Sequence, residues 1–590
     1  NYSMNKIILL VTVLAVVFCG PSYAEAEPLE IEAEPLEIVI TIPRTASNMA
    51  TSTYSYDVID VDVPADTVTG IDIVQNGPPG QSSSLFIRGT ESDHSLITLN
   101  GIAIKDHSTP SGADDFGQHN LVGVDRLVII KGPMGNAYGP NAAGGVIDIQ
   151  TDTYGESYID FSIGSNNYVS KEISITDRNP TDRHNIRVVA NQTTTDGISV
   201  YAGGEEKDPY EATTFNIAYD YTGDGYFLKL NKVKDKNDMS LDSGSADVLN
   251  YTGDWEWNNN QIDFQTQNTR VVLNNSNHDR IYNKDGVVDI NNSKDNTYYI
   301  QHKFNKDTYD YSLGLEHNNA SANFSTNINN YVSSVNENRH VTGVFFEVDK
   351  VYENSTILSI SSRYDSISDF ESKVSSRIGV SYNNYRASYS QGYRLPTLYE
   401  MHGIDSYGYQ GNPNLTSEDI DSYEIGYRFG GFDTALFYIE ESNAITYANQ
   451  TYTNVAEGGE SKGAEVSYIK EVYGMNLASN LTYTDAKLNN GNEKLRRPMW
   501  RSNSSISTNI KDTNYKLAMN YYGDHKDIDS ATWQTIDKDS ITTFDIELNK
   551  THENKMIYLG LYNITDQQYE QPDGYNQMGI NFQAGFKVTM

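Results

Sequence analysis

The stretch that decides the fold is residues 71–149, which includes Ser84-Leu85-Phe86-Ile87-Arg88-Gly89, Leu96-Ile97-Thr98-Leu99-Asn100-Gly101 and Arg126-Leu127-Val128-Ile129-Ile130-Lys131-Gly132-Pro133. Each run is rich in β-branched residues, is long enough for one strand, and ends on a turn residue. The stretch closes with Gly144-Gly145-Val146-Ile147. It therefore predicts a small, glycine-punctuated β domain within a chain of 590 residues.

The charge balance excludes one class of partner. The chain has 79 acidic and 43 basic residues, which gives a net charge of −36. A protein that binds nucleic acid needs clustered lysine and arginine to neutralise phosphates. We therefore expect no nucleic-acid partner.

The first 24 residues have the parts of a secretory signal peptide. Asn5-Lys6 precedes the apolar run 7–18, and Pro21-Ser22-Tyr23-Ala24 follows it. A basic start, a short apolar core and a small-residue end are typical of such signals, and we expect cleavage after Ala24. After that point no apolar stretch is long enough for a transmembrane helix.

Residues 156–590 alternate between apolar and polar positions in many short segments, such as Phe227-Leu228-Lys229-Leu230 and Phe582-Gln583-Ala584-Gly585-Phe586. Alternation with 44 tyrosines is typical of a transmembrane β-barrel, whose outer face is apolar and whose lumen is polar. The alternative is a secreted β-sandwich or propeller. A propeller should show repeats of about 40–50 residues, and the sequence has none. The pattern favours an all-β membrane protein.

Residues 25–50 precede the small β domain and form a separate segment. Residues 25–38 contain an acidic direct repeat punctuated by proline, which predicts a mobile tail. The second copy continues into Val39-Ile40-Thr41-Ile42, which can add as a strand to the sheet of another protein. The alternative is that this run is the first strand of the β domain itself.

Motifs across the chain resemble those of the TonB-dependent outer-membrane receptors. In the small domain they are Phe86-Ile87-Arg88-Gly89, Leu99-Asn100-Gly101-Ile102, Lys131-Gly132-Pro133, Ala137-Tyr138-Gly139 and Gly144-Gly145-Val146-Ile147. In the remainder they are Gln391-Gly392-Tyr393-Arg394-Leu395-Pro396, Gly411-Asn412-Pro413-Asn414-Leu415, Ser422-Tyr423-Glu424-Ile425-Gly426-Tyr427, Lys462-Gly463-Ala464-Glu465, Leu495-Arg496-Arg497-Pro498 and Asn563-Ile564-Thr565-Asp566-Gln567-Gln568-Tyr569. They match in order and spacing.

The resemblance implies a plug domain, residues 51–155, inside the lumen of a 22-stranded antiparallel barrel, residues 156–590. It also implies a coupling segment, the TonB box, at Glu37, Ile38, Val39, Ile40 and Thr41. The expected partners are TonB with its inner-membrane energising complex, a ligand and outer-membrane lipid, and we expect a monomer. The implied activity is active transport, with no catalytic residue.

Within the family, the plug is most similar to that of the cobalamin receptors, especially over residues 70–90 and 111–114. We therefore predict uptake of cobalamin or a related corrinoid. Two alternatives stay open within the same fold, a ferric-siderophore receptor and a haem receptor. A passive porin is a third, against which the plug and the TonB box argue.

Three basic residues of the plug, Arg88, Arg126 and Lys131, lie in β-rich surroundings. Buried charges persist in proteins only when they are paired or well hydrogen-bonded. We predict that these residues contact the barrel, with Glu424 and Glu465 as partners.

Ligand contacts are expected from loops at the plug apex, because binding residues concentrate on loops held by a rigid scaffold. The predicted residues are Gln81, Ser82, Ser83, Lys105, Ser108 and Ser111. Neutral donors suit amide-rich cobalamin, whereas anionic ferric siderophores would favour arginine clusters. The serines also have a simpler interpretation as turn residues.

Two acidic segments of the early barrel loops invite comparison with a calcium site, which the resemblance implies in this region. They contain Glu205, Glu206, Asp208, Asp238 and Asp242. Calcium takes 6–8 oxygen ligands. Solvated acidic loops without a metal are the alternative, which the sequence favours.

Overall fold

The computed structural model describes residues 52–60, 68–109, 112, 115–178, 183–328, 331–368, 370–448 and 450–590. The predicted signal peptide, the segment 25–50 with the TonB box, and Ser111 lie outside the described residues.

The plug consists of two small sheets. Its strands are β1 (Ser55–Asp60), β2 (Ile71–Gln75), β3 (Ser83–Ile87), β4 (Ser95–Leu99), β5 (Ile102–Ala103), β6 (Val124–Lys131) and β7 (Gly145–Thr151). One sheet has the order β1-β6-β7-β4-β5, and β2 pairs with β3. Short helical segments lie at Ser92–His94, Phe116–Gln118 and Gly135–Tyr138. Each predicted run of the opening stretch is a strand.

The two plug sheets share one apolar core. Ile71 and Ile87 from the small sheet pack with Ile97, Ile129 and Ile147 of the larger one, and each is at most 2% exposed. The β-branched residues of the glycine-punctuated runs supply this core, since such side chains pack well on a pleated surface.

The barrel is closed and antiparallel, which confirms the predicted fold class. It has 22 strands, and the pairing of the first barrel strand (Tyr158–Gly164) with the last (Asn581–Thr589) closes the cylinder. The strands are β8 (Tyr158–Gly164), β9 (Tyr168–Arg178), β10 (His184–Thr195), β11 (Tyr210–Thr222), β12 (Tyr226–Ser240), β13 (Tyr251–Thr266), β14 (Thr269–Lys284), β15 (Val287–Lys306), β16 (Tyr309–Ile328), β17 (Tyr331–Val351), β18 (Ile357–Ile367), β19 (Lys373–Tyr382), β20 (Tyr385–Arg394), β21 (Glu418–Phe429), β22 (Phe432–Ser442), β25 (Glu457–Val472), β26 (Met475–Leu488), β27 (Trp500–Ile510), β28 (Thr513–Tyr522), β31 (Ile541–His552), β32 (Lys555–Tyr562) and β33 (Asn581–Thr589).

The barrel wall shows the alternation that the sequence predicts. On β13 the inward-facing Gln261 and Asp263 are buried against the plug side, whereas Ile262 and Phe264 are exposed on the outer surface. A closed sheet satisfies every backbone hydrogen bond within the protein, which a membrane requires. Among the described residues, no helix is both long enough and apolar enough to span a membrane.

Loop lengths distinguish the two rims of the barrel. One rim has short turns, such as Asp307-Thr308 between β15 and β16. The other has long loops that carry the hairpins β23 (Ile445–Ala448) with β24 (Thr451–Asn454) and β29 (His525–Ile528) with β30 (Thr535–Lys538), and the helix Leu398–His402. Short turns are periplasmic and long loops extracellular in barrels of this kind. We orient the protein accordingly.

Candidate ligand pocket and plug contacts

Arg88 joins the plug to the barrel wall through two carboxylates. Its Nε lies 2.9 Å from Oε1 of Glu465 and its Nη1 lies 2.7 Å from Oε2 of Glu424. Glu424 is on β21 and Glu465 on β25, and all three side chains are buried. Burial alone would lower the pKa of Arg88, but the two carboxylates outweigh it and raise that pKa. The guanidinium is therefore held charged within the interface.

Lys131 extends this contact. Its Nζ lies 2.9 Å from Oδ2 of Asp57 in the plug and 3.5 Å from Oε2 of Glu465 in the barrel, and it donates to Oγ1 of Thr69. The structure thus brings Arg88, Lys131 and both glutamates into one cluster, as the sequence suggested.

The prediction for Arg126 is wrong. Its Nε donates to Oε1 of Gln150 and lies 3.4 Å from Oδ2 of Asp125, and both partners belong to the plug. Arg126 is paired across the plug sheet, where β6 faces β7, so its side chain is used within the domain. The position on the strand, which the sequence does not reveal, decides this outcome.

A second buried charge cluster was not predicted from the sequence. Nε2 of His94 in the plug lies 2.5 Å from Oε2 of Glu418, and Nε of Arg394 lies 3.0 Å from the same oxygen. Arg394 also contacts Glu400 at 2.9 Å and Asp93 of the plug at 3.3 Å. The family motif at 391–396 contains Arg394, which was the available signal. No sequence pattern pointed to its partners.

In this second cluster, the pKa values of the two plug residues, His94 and Asp93, are shifted. Burial alone would lower the pKa of His94, but the neighbouring Glu418 outweighs it and raises that pKa to about 9. Burial raises the pKa of Asp93 to about 7, against the opposing effect of Arg394. His94 is therefore an imidazolium at neutral pH, because its charge is stabilised by the barrel carboxylate.

A cavity of about 380 Å³ lies between the plug apex and the extracellular part of the barrel. The plug side presents hydroxyls from Ser82, Ser83, Ser108 and further serines. The barrel side presents tyrosines, namely Tyr251, Tyr282, Tyr399 and Tyr407. Tyrosine offers a large apolar ring with one polar end, which suits the capture of a large, partly polar ligand.

Charged groups in this pocket are mostly acidic. Among the described residues of its lining, Asp115, Asp289 and Asp405 accompany a single basic residue, Arg280. Nε of Arg280 lies 2.7 Å from Oδ2 of the buried Asp106 in the plug, so its charge is compensated. The lining that the structure describes is therefore neutral to acidic, and it offers no cluster of cations to an anionic ligand.

The predicted ligand residues divide into two groups. Ser82, Ser83 and Ser108 line the pocket. Gln81 is buried and donates to the carbonyl of Ser240, and Lys105 is buried and donates to the carbonyl of Pro140. The structure therefore does not bring Gln81 or Lys105 to this pocket, because their polar ends are used by backbone carbonyls.

The three serines differ in what they offer a ligand. Ser83 and Ser108 are held by local hydrogen bonds to Asp115 and Asp106 respectively. Ser82 is exposed. The pocket tyrosines complete the lining, and no sequence pattern distinguishes them among the 44 tyrosines of the chain.

An acidic cluster lies in the extracellular loops, near the predicted calcium residues. Oxygens of Glu206, Asp242 and Asp247 lie within 4.8 Å of one another. Partial burial and the adjacent Asp247 raise the pKa of Glu206 to about 7, and burial with its acidic neighbours raises the pKa of Asp208 to about 6. Three converging carboxylates match the hard oxygen ligands that calcium prefers.

The other predicted calcium residues lie outside this trio. Asp208 is buried and accepts a hydrogen bond from the backbone N–H of Val200. Glu205 is exposed. Asp238 is an ion-pair partner of Lys236 at 2.6 Å on β12, so its inclusion in the cluster is wrong. Strand alternation turns Asp238 to the outer surface.

Comparison with known proteins gives consistent matches. The family profile described as "TonB dependent receptor-like, beta-barrel" matches residues 146–564, and the "TonB-dependent Receptor Plug Domain" matches residues 57–146. The vitamin B12 transporter BtuB of Vibrio cholerae serotype O1 is 24% identical over 545 residues, covering 86% of each chain.

Solved structures share the fold at low sequence identity. The ferric yersiniabactin receptor FyuA from Yersinia pestis has a TM-score of 0.72 at 16% identity, and the siderophore receptor PirA from Acinetobacter baumannii 0.74 at 15%. The copper transporter OprC has 0.77 at 14%. Each comparison covers 91% of this chain and 98% of the other.

Proposed function

The chain belongs to the TonB-dependent receptor family, and from that premise we propose that it imports cobalamin or a related corrinoid across the outer membrane. Members of the family are outer-membrane transporters that depend on TonB, and the family is not enzymatic. The specific ligand is the part that we propose.

The chemistry of the pocket carries the proposal. Its lining combines hydroxyls, tyrosine rings and carboxylates with one arginine that is already paired to Asp106. Such a surface favours a large neutral or cationic ligand rich in amides over an anionic ferric complex, because an anion would meet Asp115, Asp289 and Asp405 without a compensating cation cluster. The likeness to the vitamin B12 transporter supports the same choice.

Energy coupling is expected to act through the segment that precedes the plug. We propose that residues 37–41 pair with a TonB sheet by β-augmentation, so that a pull on this segment reaches the plug. The charged contacts of Arg88 and His94 then resist displacement. A polar interface can exchange these contacts for contacts with water during transport, whereas an apolar one could not.

We also propose that the extracellular cluster binds calcium. Glu206, Asp242 and Asp247 would supply ligand oxygens, and the ion would supply the positive charge that these carboxylates otherwise lack. Asp242 already accepts the backbone N–H groups of Tyr201 and Val248, which orients its carboxylate within the loop. A bound ion would in this way fix the loops beside the barrel mouth.

Ligand titration is the decisive experiment. Purified protein is titrated with cyanocobalamin, with haem and with a panel of ferric siderophores. Saturable binding of cyanocobalamin alone is expected. Tighter binding of a siderophore or of haem would replace the corrinoid assignment with that alternative, while the family assignment would stand.

Transport is tested with Ile40→Pro, which removes a backbone N–H from the segment that should pair with TonB. Cyanocobalamin uptake into cells should stop, while binding to the cell surface should stay unchanged. Unchanged uptake would contradict coupling through this segment. A Thr45→Ala variant, which lies just beyond the TonB box, is the matched control.

A further inference from the structure

The outer surface of β12–β17 carries a polar face above the apolar belt. We call it the amide face and define it as the outward positions of three successive cross-strand rows, from Lys232 to His340, from Lys234 to Asn338 and from Lys236 to Asn336. Ten of its eighteen positions are asparagine. This face is separate from the pocket, the plug and the acidic cluster.

On the periplasmic side of the amide face, the outward residues change from polar to apolar within one row. The lowest row of the face runs through Asn260, Asn275 and Asn296. The next outward row toward the periplasm runs through Ile262, Leu273 and Tyr298, all of which are exposed. Exposed apolar residues on a barrel exterior mark the lipid-facing band. The amide face therefore begins where the hydrocarbon ends, at the level of lipid headgroups.

Its composition is unusual for a β-sheet. Asparagine is depleted in strands, because its short polar side chain competes for backbone hydrogen bonds. Here the amides bond one another. Nδ2 of Asn275 donates across strands to Oδ1 of Asn296 at 2.9 Å, and Nδ2 of Asn277 donates along the same strand to Oδ1 of Asn275 at 2.9 Å. The side chains of these rows form an ordered array of hydrogen-bond donors and acceptors. They line a concavity of about 620 Å³ on the outer surface of the barrel.

The amide face carries four lysines against two carboxylates, Glu256 and Asp279, although the chain as a whole has a net charge of −36. Lys232, Lys234 and Lys236 project from one side of β12, and Lys294 lies in the middle row. Lys234 is paired with Glu256 at 2.8 Å and Lys236 with Asp238. Lys232 donates to the amide oxygen of Asn260, and within the described part of the chain neither Lys232 nor Lys294 has an ion-pair partner.

We propose that the amide face binds the phosphorylated sugar headgroup of an outer-leaflet glycolipid beside the barrel. Each asparagine amide offers a donor and an acceptor, which matches sugar hydroxyls, and Lys232 and Lys294 offer charge to phosphates. The height of the face places these groups opposite a headgroup. A protein partner fits less well, since the buried cores of protein interfaces are apolar and aromatic.

Binding is tested with lipopolysaccharide incorporated into phosphatidylcholine vesicles. The full-length protein is compared with the double variants Lys232→Ala/Lys294→Ala and Asn275→Ala/Asn296→Ala. The matched control is Lys462→Ala/Lys487→Ala, which removes two outward lysines from β25 and β26, where each is paired with a carboxylate. Heat-dependent gel migration reports that every variant has a folded barrel.

The lysine variant should lose about tenfold or more of its affinity for these vesicles, and the asparagine variant should lose affinity as well. The control should bind as the unmodified protein does. Three results would overturn the proposal: equal binding to vesicles of phosphatidylcholine alone, equal binding by the lysine variant and its control, or competition by lipid-free polysaccharide as strong as by lipopolysaccharide. Loss of a dimer in the variants would assign the face to a second copy of the chain instead.

Discussion

Nη1 of Arg88 lies 2.7 Å from Oε2 of Glu424, across the boundary between the plug and the barrel, and the side chain of Arg88 is fully buried. The two residues are 336 positions apart in the chain. Together with Glu465 they form a charged attachment that positions the plug inside the lumen. Its strength can be measured.

Arg88→Met should weaken the attachment of the plug. Removal of one member of a buried ion pair costs about 3–5 kcal/mol, because the remaining carboxylates stay buried without their partner. We expect faster hydrogen exchange in plug strands β2 and β3, with little change in the barrel. Conductance through planar bilayers should rise at the same time.

Arg126→Met is the matched control for this change. Arg126 bonds within the plug and is partly exposed, so its loss should alter the free energy of unfolding by no more than about 0.5 kcal/mol. Equal effects of the two substitutions would show that Arg88 stabilises the plug alone and not its attachment.

His94 should make the attachment dependent on pH. Its pKa is raised to about 9 in the folded protein, above the value of about 6.5 expected when unfolded. The stabilisation is therefore complete below about pH 6.5 and is lost as the pH rises through about 9. Asp93, whose pKa is raised to about 7, changes stability in the same direction at lower pH.

Hydrogen exchange of the plug measured from neutral to alkaline pH checks the effect of His94. Protection should fall as the pH rises in the unmodified protein. In His94→Gln this fall between about pH 6.5 and pH 9 should be absent, since glutamine does not titrate. An unchanged pH profile in the variant would assign the dependence to another group.

Tyr407→Ala should weaken cyanocobalamin binding by about tenfold or more, which is typical for an aromatic contact within a binding site. Tyr407 lines the pocket and is 66% exposed, so its removal should not affect folding. Tyr473→Ala removes a tyrosine that is 97% exposed on a periplasmic turn, and it should leave the affinity unchanged. Titration calorimetry distinguishes the two.

Glu206→Gln should abolish calcium binding by the extracellular cluster, and Glu205→Gln, at the adjacent exposed residue, should not. The pKa of Glu206 is raised to about 7, so the cluster retains part of a proton near neutral pH. Calcium should displace this proton. Calorimetry in two buffers of different ionisation enthalpy measures the release, and calcium binding without release would argue for other ligands.

Local sequence patterns determined the architecture. The glycine-punctuated runs became the plug strands, and the alternation along residues 156–590 became the wall, because a period of two is a property of each strand by itself. The family motifs also identified Arg88, Lys131, Glu424 and Glu465 as contacting residues. The signal peptide and TonB box, which lie outside the described residues, stay predictions.

Tertiary structure decided which side chains meet. His94 and Glu418 are 324 positions apart, and no local pattern marks either one. Gln81 and Lys105 were expected to contact the ligand and Arg126 to contact the barrel, but the fold directs their polar groups to other groups of the protein. The amide face depends on strand register. Alternation within each strand makes Asn260, Asn275 and Asn296 face outward, but they form a row only because neighbouring strands pair in this register. Pairing and closure are set by the whole sheet, which is why a single strand cannot reveal them.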